Sequence, residues 1–385
     1  MLQPGDLYLD HNATSPLLPA VRAALERALE RPLANPASAH RAGDRSRRAL
    51  EDARESVAAL LRCEPAELLF TSGATEANHL ALFGAVAPGI AGSHVVVSAI
   101  EHSSVLGAAG LLAELGADVV RVPPAPDGIV AVGAVTAALR PQTRLVALMA
   151  ANNETGVLQP VAELARELAA RGIAFHVDAA QAVGRVPFDT DAVRATTIAL
   201  TAHKLGGPAG VGSLFVRRGR RIAPLLRSGH QERSLRGGTH NLLGILGFGA
   251  AADCVRRRGP AVPALAGVRD DFEGELSRRL PSIRVAGAGA PRLPNTSSVT
   301  FPGVDASRLL AELSRRGLHA AAGSACQAGS PEPSHVLRAM GYSAEEARST
   351  VRFSFGPEHD RGDARRAAEG VAAAAAGCAR PASAT

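Results

Sequence analysis

The sequence predicts an α/β fold, with a large domain built on a mostly parallel sheet flanked by helices and a smaller α+β domain. Short apolar runs typical of strands alternate with helical patterns through most of the chain, which favours parallel strands joined by helices. From about Ala250 this alternation gives way to a long helical pattern followed by mixed strands and helices. A length of 385 residues suits two domains, and a hydrophobic content of 46% is sufficient for their cores.

Seven apolar runs predict the strands of the large sheet. They are Leu68–Thr71, His94–Ser98, Val119–Val122, Leu145–Met149, Ala174–Asp178, Ile198–Thr201 and Gly212–Val216. Helical or mixed segments separate the first six, among them Glu76–Val86, Ser103–Leu115 and Val161–Arg171. Only a Gly-rich turn separates the last two runs, so this final pair is expected to be antiparallel.

The later part of the chain predicts the smaller domain. Its helices are expected at Val268–Leu280 and Ser307–Arg316, and its strands at Ser282–Val285, Ser297–Phe301 and Thr350–Ser354. No internal repeat interrupts this order.

Composition excludes several classes of function. The net charge is +6, but the arginines are spread along the chain without a dense basic stripe and aromatic neighbours, so nucleic-acid binding is not expected. The four cysteines include no CxxC pair, which argues against a zinc ribbon, and no metal site is predicted. The sequence shows no signal peptide and no membrane-spanning apolar run. We therefore expect a cytoplasmic protein without a disulfide scaffold.

Two polar residues lie at or just past the ends of buried strands, where ligands of open α/β sheets usually bind. Asp178 ends a predicted strand, and a buried carboxylate there needs a positive partner. Lys204 follows the next strand and precedes a Gly-rich turn. A lysine buried in such a place can lose its proton and form a Schiff base. Taken alone, Asp178 could simply cap a helix and Lys204 could lie on the surface.

A third element is the strand–turn–helix segment from Leu69 to Glu76. The N-terminus of its helix offers backbone N–H groups that suit a phosphate, although the turn is neither a dinucleotide fingerprint nor a Walker loop. A phosphate cup, a carboxylate for a ring nitrogen and a lysine for an aldehyde are together what pyridoxal 5'-phosphate (PLP) requires. The three elements therefore predict a PLP site.

Many ordered blocks resemble one family. The chain is similar to the NifS/IscS-type (group I) cysteine desulfurases, which are class V aminotransferase-like enzymes of PLP fold type I. The blocks that carry the resemblance are Tyr8–Thr14, Asn35–His40, Thr71–Asn78, Ala151–Gly156, His176–Gln181, Ala202–Lys204, Gln231–Arg233, Gly238–Thr239, Gly323–Cys326, Glu332–Arg338 and Arg352–Gly356. The resemblance implies a large PLP-binding domain at 15–255. It also implies a small domain, formed by 1–14 and 256–385, that carries the catalytic cysteine loop.

The resemblance also implies a role for each matching residue. Lys204 would hold the cofactor and act in catalysis, and His102 would stack on the pyridine ring and carry protons. Arg352 would bind the substrate carboxylate, with help from Asn35 and Asn153. The remaining cofactor-binding residues would be Asp178 at the ring nitrogen, Asn153 and Gln181 at the phenolic oxygen or substrate, Ala74, Thr75, Thr201 and His203 around the phosphate, and Thr239 from the other subunit of a homodimer.

Cys326 separates desulfuration from other PLP reactions. It lies among small residues, a composition typical of a loop, and the resemblance implies that it receives sulfur from the substrate as a persulfide. Its spacing from Glu332 resembles group I enzymes. Cys63, Cys254 and Cys378 have no such surroundings.

The expected reaction converts L-cysteine to L-alanine and passes the sulfur through Cys326 to an acceptor protein of unknown identity. Iron–sulfur clusters, thiolated tRNA, thiocofactors and sulfur-containing natural products all remain possible destinations. Alternatives that the residues leave open are a selenocysteine lyase or another PLP-dependent C–S lyase, an aminotransferase, and a non-catalytic sulfur carrier or scaffold subunit. The intact Lys204, Asp178 and Cys326 argue against the last.

Overall fold

Strands and helices alternate through most of the computed structural model, which describes residues 3–30, 32–259, 262–323 and 332–378. The strands are β1 (Leu7–Tyr8), β2 (Leu68–Thr71), β3 (His94–Ser98), β4 (Asp118–Val122), β5 (Thr143–Ala147), β6 (Ala174–Asp178), β7 (Thr197–Thr201), β8 (Gly212–Val216), β9 (Arg284–Val285), β10 (Thr296–Thr300), β11 (Leu318–His319) and β12 (Thr350–Ser354).

The helices lie mostly between these strands. They are α1 (Pro19–Leu29), α2 (Arg41–Leu61), α3 (Ala74–Val86), α4 (Ser103–Glu114), α5 (Val132–Ala137), α6 (Val161–Ala170), α7 (Thr190–Val193), α8 (Leu242–Arg258), α9 (Val262–Arg279), α10 (Ala306–Arg315), α11 (His335–Ala339), α12 (Ala344–Arg348) and α13 (Arg361–Cys378).

Among the described residues, β2 to β8 form a seven-stranded sheet in the order β2-β8-β7-β6-β5-β3-β4. Neighbouring strands are parallel except that β8 runs antiparallel to both β2 and β7. The predicted mostly parallel α/β sheet is therefore confirmed, including its antiparallel last pair. A second sheet, in the order β12-β10-β9, is antiparallel, and β1 pairs in parallel with β11.

Some predicted boundaries differ from the structure. β5 begins and ends two residues earlier than the predicted run Leu145–Met149, since Leu148 and Met149 are buried beyond the strand end and look like strand residues in the sequence. The run predicted at Ser282–Val285 pairs only at Arg284–Val285. Buried apolar residues outside regular strands thus explain the shifted end of β5.

The large sheet is covered by helices on both faces, so its strands are apolar on both sides. On β3, Val95 and Val97 belong to a core cluster with residues of α3 and α4. Val96, between them in the chain, faces the opposite cluster, which is formed with α2, α6 and α8. This is the period-2 arrangement of a strand buried on both faces.

A separate aromatic cluster forms the core of the smaller part. The ring centroid of Phe272 on α9 lies 4.9 Å from that of Phe353 and 5.4 Å from that of Phe355. Leu7 and Leu9 near the N-terminus join this cluster, which supports the predicted grouping of residues 1–14 with 256–385. The exact division stays a prediction, because α8 crosses position 255 and α11 packs on the larger core. No helix within the described ranges is long and apolar enough to cross a membrane.

The carboxyl ends of six strands, β2 to β7, meet at one edge of the large sheet, where β4 runs parallel to β3. β3, β5, β6 and β7 are mutually parallel, and β2 runs in the same direction because both β2 and β7 are antiparallel to β8. The segments that leave this edge include His102, Asn153, Asp178 and Lys204. The fold therefore places polar residues from distant parts of the chain together, where α/β sheets bind ligands.

Candidate active site

A cavity of about 350 Å³ opens at this edge of the sheet. Its volume lies within the usual range of small-molecule sites, roughly 300–1,000 Å³. Ten of the residues predicted from the sequence line it: Ala74, Thr75, His102, Asn153, Asp178, Gln181, Thr201, His203, Lys204 and Arg352. These ten residues, separated by up to 278 positions in the sequence from Ala74 to Arg352, thus surround one cavity.

Three predicted site residues are not found in the cavity lining. Thr239 is exposed on a loop. Asn35 is also exposed, and its side-chain oxygen accepts a hydrogen bond from the backbone N–H of Ala37 at 2.9 Å. Cys326 lies outside the described residues. The roles predicted for these three remain predictions.

Lys204 is the only lysine in the 385-residue sequence. It ends a short 3₁₀ turn that directly follows β7. Its Nζ donates to the backbone carbonyl oxygens of Asn12 and of Ala13, the latter at 2.6 Å. These neutral acceptors hold the amine at the cavity wall.

Asp178 presents a buried carboxylate to the same cavity and is 7% exposed. Its Oδ1 accepts from the backbone N–H of Ala180 at 3.0 Å, and its Oδ2 accepts from Nδ2 of Asn78 at 2.8 Å. Hydrogen bonds of this kind stabilise the ionised form of a buried carboxyl group. Asp178 is therefore suited to hold a protonated ring nitrogen.

The turn between β2 and α3 forms another wall of the cavity. Ser72, Gly73, Ala74 and Thr75 line it, and α3 begins at Ala74. A Cβ at Gly212 on β8 would lie 2.7 Å from Gly73 Cα, so glycine is needed for the strand to pass this close to the turn. The first N–H groups of α3 and the positive end of its dipole suit an anionic group.

His203 lines the same cavity as a neutral ring. Burial, together with the positive charges of Lys204 and Arg185, lowers the pKa of His203 to about 4. One ring nitrogen, Nδ1, lies 3.2 Å from the hydroxyl of Thr14. At neutral pH His203 can therefore contribute hydrogen bonds to a ligand but no full charge.

Arg352 on β12 is 1% exposed and reaches the cavity from the second sheet. Nη2 lies 2.7 Å from an Asp10 carboxylate oxygen, and Nη1 donates to the Asn153 carbonyl oxygen at 2.9 Å. Its Nε is buried without a hydrogen-bond partner among the described atoms. A guanidinium fixed in this way has remaining donor capacity for a substrate carboxylate.

Asn12 and Ala13 also line the cavity and contact Lys204, although the sequence predicts no individual role for either. Besides accepting from Lys204, the Asn12 carbonyl oxygen accepts from Nε2 of Gln181 at 3.0 Å. The Asn12 backbone N–H donates to the hydroxyl of Ser354 at 2.9 Å. In the sequence, only the resemblance of the Tyr8–Thr14 block indicated that this segment belongs to the site. Backbone carbonyl groups are the same in every residue, so the pattern of side chains cannot identify the ones that accept these hydrogen bonds.

The residues that flank the segment 324–331 contact the same site. On one side, Ala321 exchanges backbone hydrogen bonds with Arg352, at 2.7 and 3.2 Å. On the other side, the hydroxyl of Ser334 donates to the buried carboxylate of Glu154. Described residues on either side of the segment that contains Cys326 are therefore hydrogen-bonded to Arg352 and Glu154.

Comparison with known proteins agrees with this geometry. The family model for aminotransferase class-V matches residues 7–366. The curated cysteine desulfurase IscS of Dictyoglomus turgidum is 37% identical over 353 residues, which is 91% of this chain and 90% of that protein.

The protein belongs to the class-V aminotransferase family, with the NifS/IscS-like cysteine desulfurases.

Solved structures agree with this assignment. A NifS-like protein superposes with a TM-score of 0.89 at 30% identity, covering 96% of this chain and 98% of that one. SspA in complex with cysteine superposes with a TM-score of 0.81 at 33% identity, covering 91% of this chain and 99% of that one. The predicted family and fold type are therefore confirmed.

The loop that carries Thr239 is anchored by a buried carboxylate, Glu232. Glu232 accepts from both terminal nitrogens of Arg54, at 2.8 and 2.9 Å, and from the backbone N–H of Phe70 at 2.9 Å. Nε2 of His240 lies 2.7 Å from it. Burial alone would raise the pKa of Glu232, but the hydrogen bonds from His240 and Arg54 outweigh burial and lower it to about 2.

This anchor holds an unusual backbone. Glu232, Arg233 and Ser234 all have positive φ, at 45°, 56° and 62°. Such conformations are unfavourable for residues other than glycine and persist where surrounding contacts impose them. The Glu232 contacts therefore fix the course of the loop between β8 and α8.

We expect Glu232→Gln to destabilise the fold in a pH-dependent way. A carboxyl whose pKa falls from 4.5 to about 2 on folding contributes about 3 kcal/mol. This contribution is present above about pH 4.5 and is lost as the pH falls toward about 2. The difference in free energy of unfolding between the wild type and the variant should therefore be largest near neutrality and shrink on acidification. Urea unfolding at fixed protein concentration measures it.

Glu55→Gln is the matched control, because it makes the same change of side chain at an exposed position on α2. We expect no comparable difference for this control. A pH-independent difference for Glu232→Gln would contradict the proposed ionic anchor.

Proposed function

We propose that the protein is a PLP-dependent cysteine desulfurase that converts L-cysteine to L-alanine and transfers the sulfur to Cys326 as a persulfide. The observation that carries the proposal is that the chain's only lysine shares one cavity with a buried aspartate, in a chain of this family. A primary amine can form an imine with an aldehyde, which a guanidinium cannot do under these conditions. Lys204 is therefore the residue to hold the cofactor.

The cavity fits PLP in three respects. Lys204 supplies the amine, Asp178 supplies a carboxylate for the pyridine nitrogen, and the start of α3 at Ala74 supplies a site for the phosphate. The close approach of Gly212 to Gly73 shapes the phosphate wall. When bound, PLP supplies a ring that accepts electrons and stabilises negative charge at the substrate α-carbon.

Residues of the protein would carry out substrate binding, proton transfer and sulfur transfer. Arg352 would bind the substrate carboxylate, and Lys204 Nζ would take the proton from the substrate α-carbon. The Cys326 thiolate forms a bond to the substrate sulfur as the carbon–sulfur bond breaks. The electron pair of that bond stays with the carbon fragment, which is protonated and leaves as alanine. The sulfur remains on Cys326.

Two contacts support the role of Cys326. The flanking residues Ala321 and Ser334 are attached to Arg352 and Glu154 beside the cavity. Cys63 and Cys378 are less suitable as nucleophiles, since burial raises the pKa of Cys63 to about 12 and Cys378 is buried in the second core. We propose that an acceptor protein then takes the sulfur from Cys326, in the cytoplasm.

Lys204→Arg should abolish cofactor attachment while keeping the positive charge. We expect the near-visible absorbance of the bound cofactor to disappear, and borohydride reduction to leave no cofactor on the chain. In the wild type the same reduction should label only the peptide that contains Lys204, because there is no other lysine. Cofactor retained covalently by Lys204→Arg would contradict the proposal.

Cys326→Ala should separate cofactor chemistry from sulfur transfer. We expect the variant to keep the cofactor absorbance and to respond to added cysteine, but alanine release with a thiol acceptor should fall by roughly 100-fold or more. Cys63→Ala is the control and should retain activity. If Cys326→Ala released alanine at the wild-type rate, the persulfide role would be refuted.

We also propose a homodimer in which Thr239 completes the cofactor site of the other subunit. Thr239 is exposed in the single chain and lies outside its cavity, on the loop fixed by Glu232. Thr239→Val homodimers are then expected to bind PLP about tenfold more weakly, because each site loses one hydrogen bond to a charged group.

Mixed dimers test whether this contact crosses between subunits. A Lys204→Arg subunit paired with a Thr239→Val subunit should contain one native site, with Lys204 from one chain and Thr239 from the other. Equilibrium titration should find that half of the sites regain wild-type affinity. A monomer by light scattering, or mixed dimers as weak as Thr239→Val homodimers, would disprove the arrangement.

A further inference from the structure

A buried chain of hydrogen bonds connects His102 with Asp178 behind the cavity. Nδ2 of Asn78 lies 2.8 Å from Asp178 Oδ2 and 2.8 Å from the hydroxyl oxygen of Ser104. The Ser104 hydroxyl in turn lies 2.8 Å from His102 Nδ1. Asn78 is fully buried and Ser104 is 6% exposed, so water cannot readily replace these contacts.

The Asp178 end fixes the orientation of the Asn78 amide. A carboxylate only accepts hydrogen bonds, so the Asn78 atom beside Asp178 must be the NH₂ group. The amide oxygen then faces Nε2 of His176 at 2.9 Å and accepts its N–H. His176 is neutral, because burial lowers its pKa to about 4. Each polar atom of the Asn78 side chain is therefore used, and its second N–H is donated to Ser104.

The His102 end is fixed by a backbone group. His102 is the N-cap of α4, and its Nδ1 accepts from the backbone N–H of Ser104 at 3.2 Å. A backbone N–H can only donate, so Nδ1 must carry a lone pair and no proton. The Ser104 hydroxyl, which accepts from Asn78, then donates its own proton to Nδ1. The positive end of α4 also disfavours a charged imidazole at this position.

We propose that Asn78 and Ser104 are positioning residues that fix His102 as a neutral imidazole with its proton on Nε2, in one hydrogen-bond chain with Asp178. The inference rests on the proposed function for its meaning in catalysis, but its geometry is independent of the reaction. Asp178 and the backbone of Ser104 set the direction of every bond between them.

This tautomer changes what His102 can do. A ring protonated at Nε2 offers an N–H to a group in the cavity and has no lone pair there to take a proton. Proton abstraction from the substrate therefore falls to Lys204. His102 would act as a hydrogen-bond donor to developing negative charge, and it could become a base only if its bonds to Ser104 were broken.

Nitrogen NMR of the full-length protein with PLP bound tests the proposal, since the two ring nitrogens of histidine give distinct signals when protonated and unprotonated. The chain has 12 histidines, and the His102 signals are assigned by their loss in His102→Gln. We expect a protonated signal at Nε2 and an unprotonated signal at Nδ1. A proton on Nδ1, protons on both nitrogens, or averaged signals would overturn the proposal.

Variants of Ser104 test the hydroxyl. In Ser104→Ala the backbone N–H at 3.2 Å remains, but the shorter contact of the hydroxyl with Nδ1, at 2.8 Å, is lost. The separation between the two His102 signals should therefore shrink in part as the other tautomer becomes populated, and Ser104→Thr should restore it. Ser103→Ala is the matched control, because Ser103 is exposed and adjacent, and its spectrum should match the wild type. Unchanged signals in Ser104→Ala would refute the role of Ser104. If that variant does not fold, the tautomer of His102 in the wild type still shows in which direction the hydrogen bonds between Asp178 and His102 are donated.

These spectra require no turnover of cysteine. If the enzyme releases alanine from cysteine but His102 does not carry its proton on Nε2, only this inference is rejected. The expected tautomer in a protein that releases no alanine would reject the proposed function alone.

Discussion

The buried carboxylate of Asp178 is the constraint on which the site depends. A negative charge removed from water needs hydrogen-bond donors or positive charge around it. The Ala180 N–H and the Asn78 amide provide the donors, and the amide orientation that Asp178 requires extends to His176 and Ser104. One charge at a strand end thus determines the hydrogen bonding of residues on β6, α3 and α4.

Much of this arrangement could be predicted from local sequence. Asp178 ends one buried strand and Lys204 lies three residues after the end of the next, so alternation of strands and helices was enough to bring them to one sheet edge. The contacts of Asn12, by contrast, join backbone atoms to residues more than a hundred positions away, and no local pattern encodes such pairs. Likewise, the pairing of Arg352 with Asp10 depends on how the second sheet meets the N-terminal segment.

The positions of arginine and lysine in this chain differ in the chemistry that each position requires. Arginine serves wherever the structure requires a fixed charge, as in the bidentate contact of Arg54 with Glu232 and in the two contacts of Arg352. A planar guanidinium suits such contacts because its donors are held in a rigid fork. Lysine is retained at a single position, where a nucleophilic amine is required and arginine has no equivalent chemistry.

The segment around Asn12 lies between the two parts of the fold. Its N–H is bonded to Ser354, 342 positions later, while its carbonyl oxygen meets Lys204 and Gln181. Contacts over such separations form late, because closing long loops costs entropy before the contacts can repay it. During synthesis on the ribosome, the wall of the cavity behind Lys204 therefore cannot be completed until β12 has emerged. A complete cavity, with Arg352 in its wall, is thus a property only of a chain synthesised as far as β12.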